Sequence, residues 1–187
     1  MGQRTQMVVE VVKPEYSQKA KRYVTKRFVG SYHNQWGIGK MQLWDVMRFL
    51  TNYNDGLADY ELPKYLHKAY LMEDAYTFKG KPTPQAVMEW MNTTQDNNDG
   101  GILLKVKMDK YGVVDSGELY IFNDPEMGAH KEYEKNPKAK PDYSVNRYIS
   151  LREYVMYCPE YFTVDFLTAF TALLRCYNIK IMEPKDD

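Results

Sequence analysis

RYVTKRFVGSYHNQWGIGKMQLWDVMRFLTNY, residues 22–53, changes its hydrophobic period half-way along. Up to Phe28, Tyr23, Thr25 and Arg27 alternate with Val24, Lys26 and Phe28, which is the two-residue period of a strand. From Lys40 onward, Leu43, Val46, Met47 and Leu50 fall at i, i+3, i+4 and i+7, one apolar face of a helix, and Asn54-Asp55-Gly56 closes it. The join GSYHNQWGIGK (30–40) therefore carries the chain from strand to helix. Gly37 and Gly39 are expected to supply the positive φ of a sharp turn. Trp36 is expected to cover the first turn of the helix, with His33 and Gln35 bonded to nearby backbone. Ending at Lys40, this is a rigid corner with a polar rim, better suited to binding than to catalysis.

Working outward, MVVEVV (7–12) reads as a strand ended by Pro14, and it pairs with 22–32 as a hairpin. Beyond the helix at 40–53, ELPKYLHKAYLME (61–73) has a helical apolar side. TPQAVMEWMN (83–92) has Thr83 as N-cap and Pro84 at the first helical position, with Val87, Met88 and Met91 on its inner face. QDNNDGG (95–101) reads as a turn, and DKYG joins ILLKVKM (102–108) to VVDSGELYIF (113–122) as a second hairpin. The polar stretch at 123–144 holds three prolines and no periodicity, and is expected to be a long surface loop. SLREYVMY (150–157) opens with a capping box, Ser150 with Glu153; TVDFLTAFTALLRCYN (163–178) is a strong apolar helix, and IKIM (179–182) a last strand. The order predicts an α+β fold in one domain, 1–187: an antiparallel sheet from two hairpins covered by several helices.

A chain of 187 residues buries a core without a disulfide or metal staple. Cys158 and Cys176, the only cysteines, lack CxxC spacing and read as reduced thiols of a cytoplasmic protein, a bridge between them being allowed but not required. No apolar run approaches the ~20 residues of a membrane helix, and the N-terminus has no signal-peptide core. Gln6 stands where a myristoylation signal has Ser or Thr. The net charge of zero hides an asymmetry: residues 1–50 carry nine Lys/Arg against three Asp/Glu. The densest part is KAKRYVTKR (19–27), where Lys19, Lys21, Arg22, Lys26 and Arg27 interleave with Tyr23, a pattern that grips phosphates and stacks a base, or else forms a solvated face.

Several chemistries fail on spacing. A P-loop ending at Gly39-Lys40 requires Gly at 34 and a hydroxyl at 41, where Asn34 and Met41 stand. A GxGxxG fingerprint from Gly37 requires Gly at 42, where Gln42 stands. His33, His67 and His130 have no partner at metal-ligand spacing. QDNNDGG fits a calcium loop at Asp96, Asn98 and Gly101, but Lys107 occupies the place of the bidentate Glu. The layered order of strands and helices resembles that of N-terminal-nucleophile hydrolases, yet removal of Met1 exposes Gly2, which has no nucleophile. No cofactor or metal is therefore expected, and His33 is read first as a structural residue.

Two short elements, Met1-Gly2-Gln3-Arg4 before a strand and His33 to Gly37 before an amphipathic helix, resemble a family of small proteins encoded by phages and prophages of gut Firmicutes. The resemblance covers about the first 50 residues. Some phage proteins of this size from such hosts are anti-CRISPR proteins, which bind and block the RNA-guided nuclease of type II systems. It implies a non-enzymatic binding protein in the host cytoplasm, a candidate inhibitor of a defence nuclease. Two surfaces are expected to serve. The acidic residues Asp124, Glu126, Glu132 and Glu134 would imitate phosphates, and the basic 19–27 segment would grip guide RNA. The alternatives are a nucleic-acid-binding accessory protein and a hydrolase with an unrecognised site. The helix at 163–177, apolar nearly all round, further predicts a homodimer, with central burial of the helix as the alternative.

Overall fold

The structure is a computed structural model, and it describes residues 4–34, 40–53, 78–93, 98–123, 147–157 and 159–184. The alternation around residue 25 is realised in a long hairpin. Strand β1 (Arg4–Ser17) pairs antiparallel with β2 (Arg22–Asn34) over thirteen consecutive rungs. The second hairpin is β3 (Asn98–Met108) with β4 (Val114–Asn123). The two lie side by side through a parallel β1–β3 pairing that runs to Val12↔Lys107. The sheet order is β2-β1-β3-β4, and two short strands, β5 (Arg147–Ile149) and β6 (Ile179–Ile181), follow one another along the outer edge of β4. The fold is α+β, with a mixed, mostly antiparallel sheet.

Alternation then divides the core into two layers. Met7, Val9, Val11, Ile102, Leu104, Val106, Leu119 and Ile121 face one side. There they meet Leu43, Val46, Phe49 and Leu50 of α1 (Lys40–Tyr53), Tyr154 of α3 (Leu151–Tyr157), and Phe170 and Leu174 of α4 (Val164–Cys176). Val8, Leu103, Tyr120 and Phe122 face the other side, against Phe78 and against Val87 and Met91 of α2 (Pro84–Thr93). The described helices thus clad one face of the sheet and part of the other. Gly101 is required where α2 crosses: a Cβ there would lie 2.7 Å from the carbonyl oxygen of Gln6 and 2.6 Å from Met91 Sδ.

The two caps that the sequence predicts form, and Thr163 adds a third, on α4. Thr83 Oγ1 accepts from the Ala86 amide at 3.2 Å. The Ser150–Glu153 box closes in both directions: Glu153 N–H donates to Ser150 Oγ at 3.0 Å, and Ser150 N–H to Glu153 Oε2 at 2.9 Å.

Three expectations are corrected. Pro14 does not end the first strand. It lies beyond Val12, the last residue that β1 shares with β3, so the free edge of β1 has no use for the missing N–H. Asn98 to Gly101 are not turn but the start of β3, an irregular start with Gly100 at φ 102°. Helix α4 is not central: it buries Phe170 and Leu174 and turns Val164, Thr168, Ala169, Ala172, Arg175 and Cys176 outward. The expected helix at 61–73 and the loop at 124–144 lie outside the described residues.

Candidate nucleic-acid interface

Beyond Val12 the first hairpin has no neighbour in the sheet among the described residues. Its last five rungs, Lys13↔Lys26 to Ser17↔Arg22, project as a two-stranded arm. The turn at its tip is held by Ser17 Oγ, which accepts the Ala20 amide at 3.1 Å, with Lys21 in the left-handed region at φ 50°. Residues 13–27 contain six Lys/Arg and a single acid, Glu15.

These cations are not equivalent. Lys26 holds Glu15 in an ion pair, and Lys13 Nζ lies 3.7 Å from the same carboxylate. The Lys26 hydrogen bond and charge hold the Glu15 carboxyl below its ordinary range. Arg27 Nε lies 2.8 Å from Oε1 of the buried Glu10, in ion-pair range but off the line of a hydrogen bond. Lys19, Lys21 and Arg22, all exposed at the tip, have no acidic partner among the described residues. Tyr16 and Tyr23, directly opposed on the next rung, are 51% and 55% exposed and meet edge to face with centroids 5.6 Å apart. An exposed aromatic pair beside unpaired cations is chemically equipped to neutralise phosphates and to stack a base.

The sequence-predicted site residues do not form one site. Lys19, Lys21, Arg22, Tyr23, Lys26 and Arg27 are gathered on the arm. His33 lies at the opposite end of β2, where its backbone pairs with Gln6, and Lys40 opens α1. Eleven strand residues separate Arg22 from His33, roughly 36 Å at the usual rise of a strand. His33 is therefore not a continuation of the basic surface. Gln35, Trp36, Asp124, Glu126, Glu132 and Glu134 lie outside the described residues.

One other group of titratable side chains stands out, on the face that α2 partly covers. Tyr120 O–H donates to Glu118 Oε2 at 2.8 Å, and Lys105 Nζ sits 5.6 Å from the Tyr120 ring centre. Burial, and then the Glu118 hydrogen bond, raise the Tyr120 phenol above its ordinary value. Tyr148, whose hydroxyl is buried without a partner, is pushed up to about 12 by burial and by the charges of Glu183 and Glu118. Both phenols are held protonated, the reverse of what a nucleophile or base requires. Among the described residues no group of His, Cys, Asp and Glu could hold a metal ion, and no helix is long and apolar enough to cross a membrane. Cys176 is exposed and free.

Sequence reasoning missed the neighbours of the arm: Lys107, Lys110 and Tyr111, at the end of the second hairpin. Their signal was present in the polar alternation of Lys105 and Lys107 with Leu104 and Val106, and in an aromatic residue inside the turn DKYG. No protein-family model matches this chain, nor does any curated protein or solved structure.

Proposed function

We propose that this is a non-enzymatic binding protein whose working surface is the basic arm and whose ligand there is a nucleic acid backbone. One observation carries the reading. The three tip cations, Lys19, Lys21 and Arg22, project on a hairpin that has left the sheet, with two exposed tyrosines on the adjoining rung. A two-stranded ribbon without a core is marginal in water, so its exposed aromatic and charged groups do little for the fold. In the setting that the resemblance of Met1–Arg4 and His33–Gly37 implies, the protein acts in the host cytoplasm against an RNA-guided nuclease, and the nucleic acid is guide RNA. Phosphate mimicry by Asp124, Glu126, Glu132 and Glu134 has no described geometry behind it.

The test is a salt titration of binding to a labelled oligonucleotide, with and without Lys19→Ala, Lys21→Ala and Arg22→Ala together. Each phosphate that the protein no longer neutralises lowers the log–log salt slope by about 0.7 to 0.9, so the triple variant flattens it by roughly two to three. A flat response in the unaltered protein overturns the reading. Co-precipitation with a guide-loaded type II nuclease, compared with the same nuclease lacking its guide, tests the inhibitor setting separately.

Assembly as a homodimer belongs to the same reading. Val164 is 80% exposed on α4, on the same side as the outward Thr168 and Ala172, and offers a surface for a second copy. Light scattering across a hundredfold dilution checks it, and a mass that stays near 22.1 kDa excludes it.

A further inference from the structure

The arm does not stand alone at its end of the sheet. Because β1 and β3 run parallel, the turn after β3 points the same way as the arm. That turn is tightly made. Asp109 Oδ1 accepts the amides of Tyr111 at 2.8 Å and Val113 at 3.0 Å, Asp109 N–H donates to the Val113 carbonyl at 2.9 Å, and Gly112 takes φ 84°. The result is a rigid platform that leaves Tyr111 78% exposed, with Lys110 Nζ 4.9 Å from the centre of its ring. Asp109 is committed to the turn's own backbone, and among the described residues it forms no ion pair with Lys110 or with the exposed Lys107.

Four large aromatic side chains are strongly exposed among the described residues, and three of them, Tyr16, Tyr23 and Tyr111, stand at this one end. With strands ~4.8 Å apart and rungs ~3.3 Å apart, the Tyr16–Tyr23 pair and Tyr111 are separated by on the order of 15 Å. Cations lie at both places and between them. Aromatic faces spaced along a basic track recognise unpaired bases, because each ring needs a free base face to stack on, which a duplex hides within its own stack.

We infer that the arm and the β3–β4 turn form a two-point platform for single-stranded nucleic acid, with Tyr111 a second stacking site and Lys107 and Lys110 binding the intervening backbone. The inference rests on the reading of the arm as a nucleic-acid surface. It adds the strandedness of the ligand and a site on the other hairpin.

Anisotropy titrations of the full chain with a labelled oligouridine 12-mer and with a labelled RNA duplex of equal length decide it. The single strand is expected to bind more tightly at every salt concentration. Tyr111→Ala should weaken single-strand binding roughly 5- to 100-fold, as loss of one stacked base does, and leave the salt slope and the melting temperature unchanged. Tyr111→Trp should preserve affinity, and Lys107→Ala with Lys110→Ala should lower the slope instead. Duplex bound as tightly as single strand, or Tyr111→Ala without effect, overturns this inference while the salt-dependent arm stands. No salt-dependent binding of either RNA removes the reading of the arm, and this inference with it.

Discussion

The two hairpins share a topology and differ in what surrounds them. In β3–β4 the runs 100–104 and 119–123 are buried at every residue, because α1 and α4 lie on one face and α2 on the other. In β1–β2 the same chain passes from one regime to the other. Residues 5–11 are buried without interruption, and from Val12, where β3 ends, the strand is half-buried or exposed. Strand geometry persists past the point where the core stops. Inside the core it is held by packing; in the arm, by a cross-strand ion pair and an edge-to-face tyrosine pair, interactions that each contribute roughly 0.2–1 kcal/mol. The lesson is that one hairpin serves stability and the outer part of the other is free to serve something else.

The sharpest break of that comparison comes from truncating one ring in each regime. Phe170 is fully buried against the first core layer, stacked with Phe166 at 6.3 Å. Phe170→Ala should cost about 3–5 kcal/mol in urea denaturation. Tyr23→Ala, on the exposed rung, should cost no more than about 1 kcal/mol. Equal losses would mean that the arm is part of the folding core.

Gly101→Ala asks the same question of the backbone. The added methyl would press on the Gln6 carbonyl and on Met91, so the second hairpin should lose about 1–3 kcal/mol. The matched change on the arm, Thr25→Ala, should stay within about 0.5 kcal/mol. Thermal melts of both variants check this.

How much of this was legible follows from locality. Each hairpin was readable because alternation and a turn are neighbours in sequence, and α1, α2 and α4 because their apolar faces repeat within one helix. Ser150 and Glu153 declared their cap from three positions apart. The β1–β3 pairing was not readable: it joins segments some ninety residues apart, and nothing local chooses a parallel neighbour. For that reason Pro14 looked like an end, when it is the first sign that β1 has outrun β3. Strand β5, Arg147–Ile149, is three residues paired with the edge of β4, too short to show a period. The basic segment was legible as chemistry, and its partition into paired Lys26 and Arg27 and unpaired Lys19, Lys21 and Arg22 was not. That partition depends on Glu10 and Glu15 lying across the hairpin.

A smaller effect is expected at the helix that packs beside β4. Ser150→Ala removes the hydroxyl half of the capping box on α3, the acceptor for the Glu153 amide, and leaves the Ser150 N–H bond to Glu153 in place; Tyr154 of that helix is buried and donates to Gln42 Oε1 of α1 at 2.8 Å. The cost should be about 0.5–2 kcal/mol, between the core and arm values, because the cap is half-exposed but anchors a buried side chain. Ser150→Asp should recover most of it, since an aspartate caps equally well.

The smallest effect separates the arm from the packed end of the sheet by pH. Two carboxylates are held below their ordinary range: Glu15 on the arm, chiefly by its hydrogen bond from Lys26, and Glu153 on α3 beside β5, chiefly by the Ser150 amide and hydroxyl, with Arg147 assisting. A carboxyl lowered in the folded state stabilises the fold above its unfolded value, about 4.3, and that contribution is lost as pH falls through the folded value. Glu183 works the other way. Burial and the charge of Glu153 raise it, so its ionisation opposes folding as pH rises. Glu153→Gln should therefore flatten the fall of the melting temperature between about pH 5 and pH 3. It should also relieve Glu183, so that part of the loss at neutral pH is returned. Glu15 is ion-paired in water at a marginal ribbon, where screening leaves little of its pairing. Glu15→Gln should move the melting temperature by no more than on the order of 1 °C at any pH. A larger acid-limb change for Glu15→Gln than for Glu153→Gln would place the arm inside the cooperative unit and reverse the contrast drawn between the two hairpins.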